Sequence, residues 1–250
     1  MIAEGSVFLL IVTILVVFVI RRRRRREELL VPDWSPDVVY LAQFPPSPRV
    51  RSISPFSLKL ETWLRVAGVK YENIFIRRFH ARTGLIPYIE LNGEQFTDSS
   101  LIIQMLEKRF TNIDQELSLE QRSVSHLATV MVEHFTAQTG FYYRYGLHMR
   151  EFVTRLQLEE FYASGGMIRV WTLVQPLITR LRSFMSGVSR QEQSVVWDQA
   201  SQDLQALSTL LVDKQYFHGD SPTTIDCMIF GHLAQFLYID IGFPQKVLNE

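Results

Sequence analysis

Ser52-Ile-Ser-Pro-Phe-Ser-Leu-Lys-Leu-Glu-Thr-Trp-Leu-Arg65 is the stretch on which the reading of this 250-residue chain turns. Pro55 suits the first turn of a helix, where its missing N–H would have gone unpaired. Ser54 stands where a small polar side chain caps that turn. Phe56, Leu60, Trp63, Leu64 and Ala67 recur at helical spacing and predict one buried face. An extended run, Val38 to Phe44, lies upstream, and a second, Tyr71 to Ile76, lies downstream. The segment therefore reads strand, loop, helix, strand. A hydroxyl sits at a helix end whose free N–H groups and dipole attract thiolates and carboxylates.

From this unit the chain extends both ways. Phe44-Pro-Pro-Ser-Pro48 stiffens the loop before the helix, since each proline fixes φ. Arg77 to Leu85 makes a short polar connection containing His80. Ile86 to Leu91 reads as a strand that opens with proline. Asn92-Gly93 signals a tight hairpin turn, and Glu94 to Thr97 is the returning strand. Asp98-Ser-Ser100 caps a helix with Ile102, Met105, Leu106 and Phe110 inward. Beyond Asn112 the period is helical throughout. Val124, Leu127, Met131 and Phe135 form one stripe, and Trp197, Ala200, Leu204, Leu207 and Leu211 another. Gly165-Gly166 and Pro176 read as breaks between helices. Pro222-Thr-Thr-Ile-Asp226 places Thr223 as N-cap and Asp226 at N3, a structural capping box. Behind it Ile225, Met228, Ile229, Leu233, Phe236 and Leu237 face a core.

Composition narrows the function classes. Net charge is zero, but six of the 26 basic residues sit together at Arg21–Arg26, leaving the remainder at −6. No basic patch with interleaved aromatics is present, which argues against nucleic-acid binding. Cys227 is the only cysteine, so an internal disulfide and a Cys-based metal cluster are excluded. The six histidines include no i, i+4 pair, and no metal is expected.

Residues 2–20 are almost wholly aliphatic and, as a helix, would reach about 28 Å, close to a bilayer's hydrocarbon thickness. They end in six arginines, so the expectation is an uncleaved single-pass anchor with the folded part cytoplasmic. The expected domains are the anchor and basic stop at 1–26, a linker at 27–37, an α/β unit at 38–111 and an all-α unit at 112–250.

These motifs carry a resemblance. The α/β unit is similar to the thioredoxin-like half of a glutathione transferase, and the rest to its helical half. Ile86-Pro87 matches that fold's cis-proline, Asp98-Ser99 its acidic-Ser pair, and Tyr216 to Asp226 its capping box. Ser54 to Arg65 together with Phe217 to Asp226 resemble, more narrowly, the failed axon connections family, which is related to the metaxins. The resemblance implies an α/β thioredoxin-like N-terminal half, an all-α transferase-like C-terminal half and, with the anchor, a membrane-tethered protein.

Two departures bear on activity. Ser54-Pro-Phe-Ser57 stands where glutaredoxin-like relatives carry a dithiol, and without a thiolate exchange chemistry is lost. The short Arg77–Leu85 link lacks room for the helix that usually grips the glycine end of glutathione. Two functions remain open. One is a membrane-anchored glutathione transferase-like protein in metal or electrophile stress. There Ser54 would be catalytic, the backbone at Ile86 and Pro87 would hold the cysteinyl part, and Asp98 with Ser99 the γ-glutamyl end. The other is a non-catalytic, metaxin-like adaptor binding other proteins, or a second copy, at a membrane. Ser54 and Ser99 read equally well as plain helix caps.

Overall fold

The computed structural model describes residues 29–76, 85–158, 165–239 and 241–243. The expected membrane helix at 2–20 and residues Arg77, Arg78 and His80 lie outside them. Among the described residues no helix is long and apolar enough to cross a membrane.

Four strands, β1 (Val39–Gln43), β2 (Tyr71–Phe75), β3 (Tyr88–Leu91) and β4 (Glu94–Thr97), form one sheet in the order β2-β1-β3-β4. β1 runs parallel to β2 and antiparallel to β3, and β3 is antiparallel to β4. Every residue of β1 and β3 is buried, as strands covered on both faces must be. Helices α1 (Pro55–Val66) and α2 (Ser99–Arg109) cover one face, packing Leu60, Trp63, Leu64, Ile102 and Leu106 on Val39, Leu41 and Ile89. The peptide between Ile86 and Pro87 is cis, as the resemblance implied.

On the second face, the part of the expected 27–37 linker from Leu30 to Asp37 is tied to the sheet. Leu30 packs with Ile74, Ile86 and Tyr88. The buried carboxylate of Glu90 accepts the Leu30 N–H at 2.9 Å and the Val31 N–H at 3.1 Å. Trp34 covers Gly93, and the Asp37 N–H bonds Asn92 Oδ1 at 2.8 Å. A buried carboxylate needs such donors, and the incoming chain supplies them.

Helix α1 departs from the one-sided reading. Ser57, Leu58, Lys59 and Glu61 are buried along with the apolar stripe: Glu61 is held by Gln43 and Asn73 of the sheet, and a second helix lies against the turn from Pro55 to Lys59. That helix is α8 (Thr224–Leu237), and it approaches most closely at Gly231. A Cβ there would meet the Lys59 backbone nitrogen at 2.6 Å and the Pro55 carbonyl oxygen at 2.8 Å.

Among the described residues the remaining α-helices are α3 (Leu119–Met131), α4 (Ala137–Phe141), α5 (Met149–Arg155), α6 (Gly165–Met185) and α7 (Gln193–Leu211). Wider π turns at Val132–Thr136 and Tyr142–Leu147 flank α4. The α7 stripe packs as expected, with Trp197, Ala200, Leu204 and Leu207 buried. The α3 stripe does not. Leu127 is 69% exposed, while Ala128 and Val132 are buried. The inward face runs one position later because Ser125 turns inward to bond His218 at 2.7 Å, a partner no hydrophobic pattern records. Leu237 is likewise exposed, at the end of α8. Pro176 does not break a helix either: it lies inside α6, whose packing against the 142–147 turn and α5 holds both halves despite the lost N–H.

Candidate functional site

The residues expected at the site are laid out by two helix starts. At α1, Ser54 is extended (φ −100°, ψ 119°), and its Oγ accepts the Ser57 N–H at 3.3 Å. The cap expected from sequence is present. The loop that delivers Ser54 is held from the helical half. Gln235 Nε2 donates to the Ser52 carbonyl at 3.1 Å, and Arg144 Nη1 to the Ile53 carbonyl at 3.1 Å. Arg144 is only 2% exposed and lies over the Tyr145 and Phe152 rings, which is how its permanent charge is tolerated there.

Ser54 faces a cleft of about 410 Å³ between the two halves, a volume typical of small-molecule sites. Phe44, Pro55 and Ile86 line it on the sheet side. Phe141, Tyr145 and, from α6, Thr179 and Arg182 line the helical side. The helical wall was missed in the sequence, although Gln138, Phe141 and Tyr145 recur at steps of three and four. Their period is core-like, and only the fold reveals that the face meets a cleft.

Asp98 and Ser99 are brought to a different place. Asp98 caps α2, its Oδ1 accepting the Ser100 and Leu101 N–H groups at 3.0 and 3.1 Å from a backbone with φ +73°. Ser99 is the first residue of α2 and is buried. Among the described residues neither lines the cleft. Next to Ser99, Ser100 Oγ accepts from Lys59 Nζ of α1, which also donates to Glu133 Oε1, both at 2.7 Å. Lys59 is almost fully buried, so its charge relies on that carboxylate. Ser54 thus sets a hydroxyl at a helix N-terminus on an open cleft, an arrangement that can meet a thiolate or a carboxylate. The Asp98 carboxylate is instead engaged by two N–H groups of its own helix.

Thr223 and Asp226 lie away from the cleft, at the start of α8. Asp226 Oδ2 accepts the Thr223 N–H and hydroxyl, each at 2.8 Å, and Oδ1 accepts the Phe217 N–H at 2.9 Å. This is the structural capping box read from the sequence. Cys227 follows it, 1% exposed, and burial pushes its thiol up to about 12.

A β-α-β-β-β-α-like order ending in a helical half, with a serine-capped helix facing the cleft between them, defines the glutathione transferase class of architecture. Residues 55–151 match the family described as glutathione S-transferase N-terminal domain, and residues 200–250 the glutathione S-transferase C-terminal domain. Failed axon connections of Drosophila melanogaster is 34% identical over 227 residues, 84% of this chain and 53% of that protein. Metaxin-3 of Danio rerio is 23% identical over 211 residues, 80% of this chain and 66% of that protein. The chain belongs to the glutathione transferase-like, metaxin-related family that these proteins represent. It spans about half the length of Failed axon connections. A glutathione transferase from Phanerochaete chrysosporium has the same fold at TM-score 0.54 and 14% identity, over 80% of this chain and 85% of that one. So does one from Ceriporiopsis subvermispora, solved in complex with glutathione, at TM-score 0.53 and 16% identity, over 81% and 86%.

Proposed function

We propose that the protein binds glutathione weakly at the Ser54 end of the cleft, and that its N-terminal apolar segment holds the folded part at the cytoplasmic face of a membrane. The placement of Ser54 carries this reading. Its hydroxyl oxygen is engaged by the Ser57 N–H, and the hydroxyl proton has no acceptor among the described residues. Such a donor at a helix N-terminus stabilises a thiolate. Glutathione would supply the thiol, and the aromatic wall of Phe141 and Tyr145 would suit an apolar electrophile, in keeping with a role in metal or electrophile stress.

Affinity is expected to be low because Asp98 and Ser99 stand off the cleft. One missing charge-assisted contact of ~1.5–3 kcal/mol weakens binding roughly ten- to a hundredfold.

A second reading is a non-catalytic, metaxin-like adaptor that binds proteins at a membrane, as a monomer or as two copies. Lys59 favours it, because its bonds to Ser100 and Glu133 tie the start of α2 to the helical half with residues that do not line the cleft.

Calorimetric titration of glutathione into the full chain in lipid nanodiscs separates the two. Binding that is lost in Ser54→Ala supports the first reading. No binding and no conjugation of a generic electrophile by either protein leaves the adaptor reading alone. Protease added outside intact cytoplasm-facing-out vesicles should digest the folded part; protection would overturn the orientation.

A further inference from the structure

Helix α6 is arranged the wrong way round for a helix bathed in water. A helix on a soluble surface turns its apolar stripe inward and its polar residues outward. Here, among the described side chains, Thr179 and Ser183 are the buried ones, and together with Gln175 and Arg182 they line the cleft. The outward face carries Val170, Leu173, Leu177, Leu181, Phe184 and Met185, each more than half exposed. They recur at steps of three and four along most of the helix, so they form one continuous stripe.

Charge separates the possible occupants of that stripe. The helix carries Arg169, Arg180 and Arg182 and no acidic residue. Arg190 follows it, stacked over the Phe184 ring and bonded to the Phe184 carbonyl. Apart from Arg21–Arg26 the chain has a net charge of −6, so this cationic, apolar helix stands out from the surface around it. Two copies laid face to face would set arginine against arginine with no carboxylate on either helix, which disfavours self-association. An anionic lipid surface offers the opposite charge beside an apolar layer. Apolar stripes flanked by arginine are the signature of helices that lie in a membrane interface. The helix is not apolar enough to cross a bilayer, in keeping with lying flat.

We infer that the outward face of α6 rests on an anionic membrane surface, its leucines entering the head-group boundary and the exposed Arg180 and Arg190 beside them meeting lipid phosphates. The inference rests on the anchored reading above only for proximity. Leu30 is already packed against the sheet, and the ten residue steps from Ile20 to Leu30 span at most about 36 Å of extended chain. The folded part is therefore kept within reach of the lipid to which the anchor belongs.

The test uses the full chain with Leu177→Cys carrying an environment-sensitive fluorophore; the buried Cys227 does not compete for the label. Flotation with vesicles is measured first, using phosphatidylcholine alone and phosphatidylcholine with phosphatidylserine. A chain that floats with neither sinks both readings. With flotation established, the Leu177 label is expected to shift to the blue and to be quenched by lipid-borne nitroxide in the anionic vesicles. Quenching should fall at 1 M salt, where the screening length drops to about 3 Å. A label at Leu119, on α3, should not respond. A blue shift without lipid quenching, or copy-to-copy cross-linking through position 177, would assign the face to a second protein molecule and overturn the inference. So would an unresponsive Leu177 label in a chain that floats. Hydrogen exchange of α6 in the unlabelled chain, slowed by anionic and not by neutral vesicles, gives the same answer without a substitution.

Discussion

At Ser54 a single oxygen caps α1 through a long 3.3 Å bond, while the proton it carries is left for the cleft. Replacing Ser54 by Ala should therefore cost no more than about 1 kcal/mol of stability, the usual worth of a cap, while removing glutathione binding. Equal binding by the variant would reduce Ser54 to a cap. Glu61 presents the opposite balance. It is 1% exposed, and burial alone would raise its pKa. Bonds from Gln43, Arg51 and Asn73 outweigh burial and hold it below the ordinary carboxylate range. A lowered folded value means the stabilisation is full above the unfolded value of about 4.3 and is lost as pH falls through the folded one. Glu61→Gln should thus lower the melting temperature at pH 7 and flatten its fall below about pH 4.3; an equally steep acid fall would refute this. Ser54 was legible in the sequence because a cap is a local device. Glu61 was not, because its donors come from two strands and a loop that only the fold brings together.

Among the elements, the start of α8 draws three hydrogen bonds onto the single carboxylate of Asp226. Asp226→Ala would strip partners from the backbone N–H groups of Thr223 and Phe217, both in buried residues, at about 1–3 kcal/mol for each group left unsatisfied. Thr223→Ala removes one hydroxyl and should cost about 1 kcal/mol. Denaturant midpoints should therefore fall further for Asp226→Ala, with neither variant altering glutathione affinity in the folded state; the reverse order would contradict the bonding pattern. Strands, turns and caps came through in the sequence because each is written in neighbouring residues. Helix faces came through only where packing is apolar. The α7 stripe was correct, but α3 was misjudged by one position because Ser125 and Ala128, neither a strong hydrophobe, face inward. Helix α6 was misread at Pro176, since one proline outweighs nothing when a helix is held along its length.

Taken as one molecule, the two halves share too much to behave as separate domains. Gly231 lets α8 lie on the α1 backbone, Trp63 Nε1 donates to Thr224 Oγ1 at 3.2 Å, and Lys59 reaches Glu133 across the same seam. Unfolding followed by tryptophan fluorescence and by far-ultraviolet circular dichroism should therefore give coincident transitions. A sheet that melts ahead of the helices would show that the seam does not couple them. The overall division into an α/β half and a helical half could be read from the change of period near Asn112. The seam could not, because Lys59 looks like a solvent-facing charge until α8 and Glu133 are laid against it.

Cys227 gives this architecture its own clock. The sole thiol of the chain sits on a helix of the C-terminal half, yet it packs in the apolar cluster under the sheet, so both halves must part before a reagent reaches it. With its pKa held near 12, spontaneous reaction in the closed state is negligible, and each alkylated molecule records one opening. The lifetime of the folded protein can then be counted by mass at one residue, in whatever surroundings the protein is kept, without heat or denaturant.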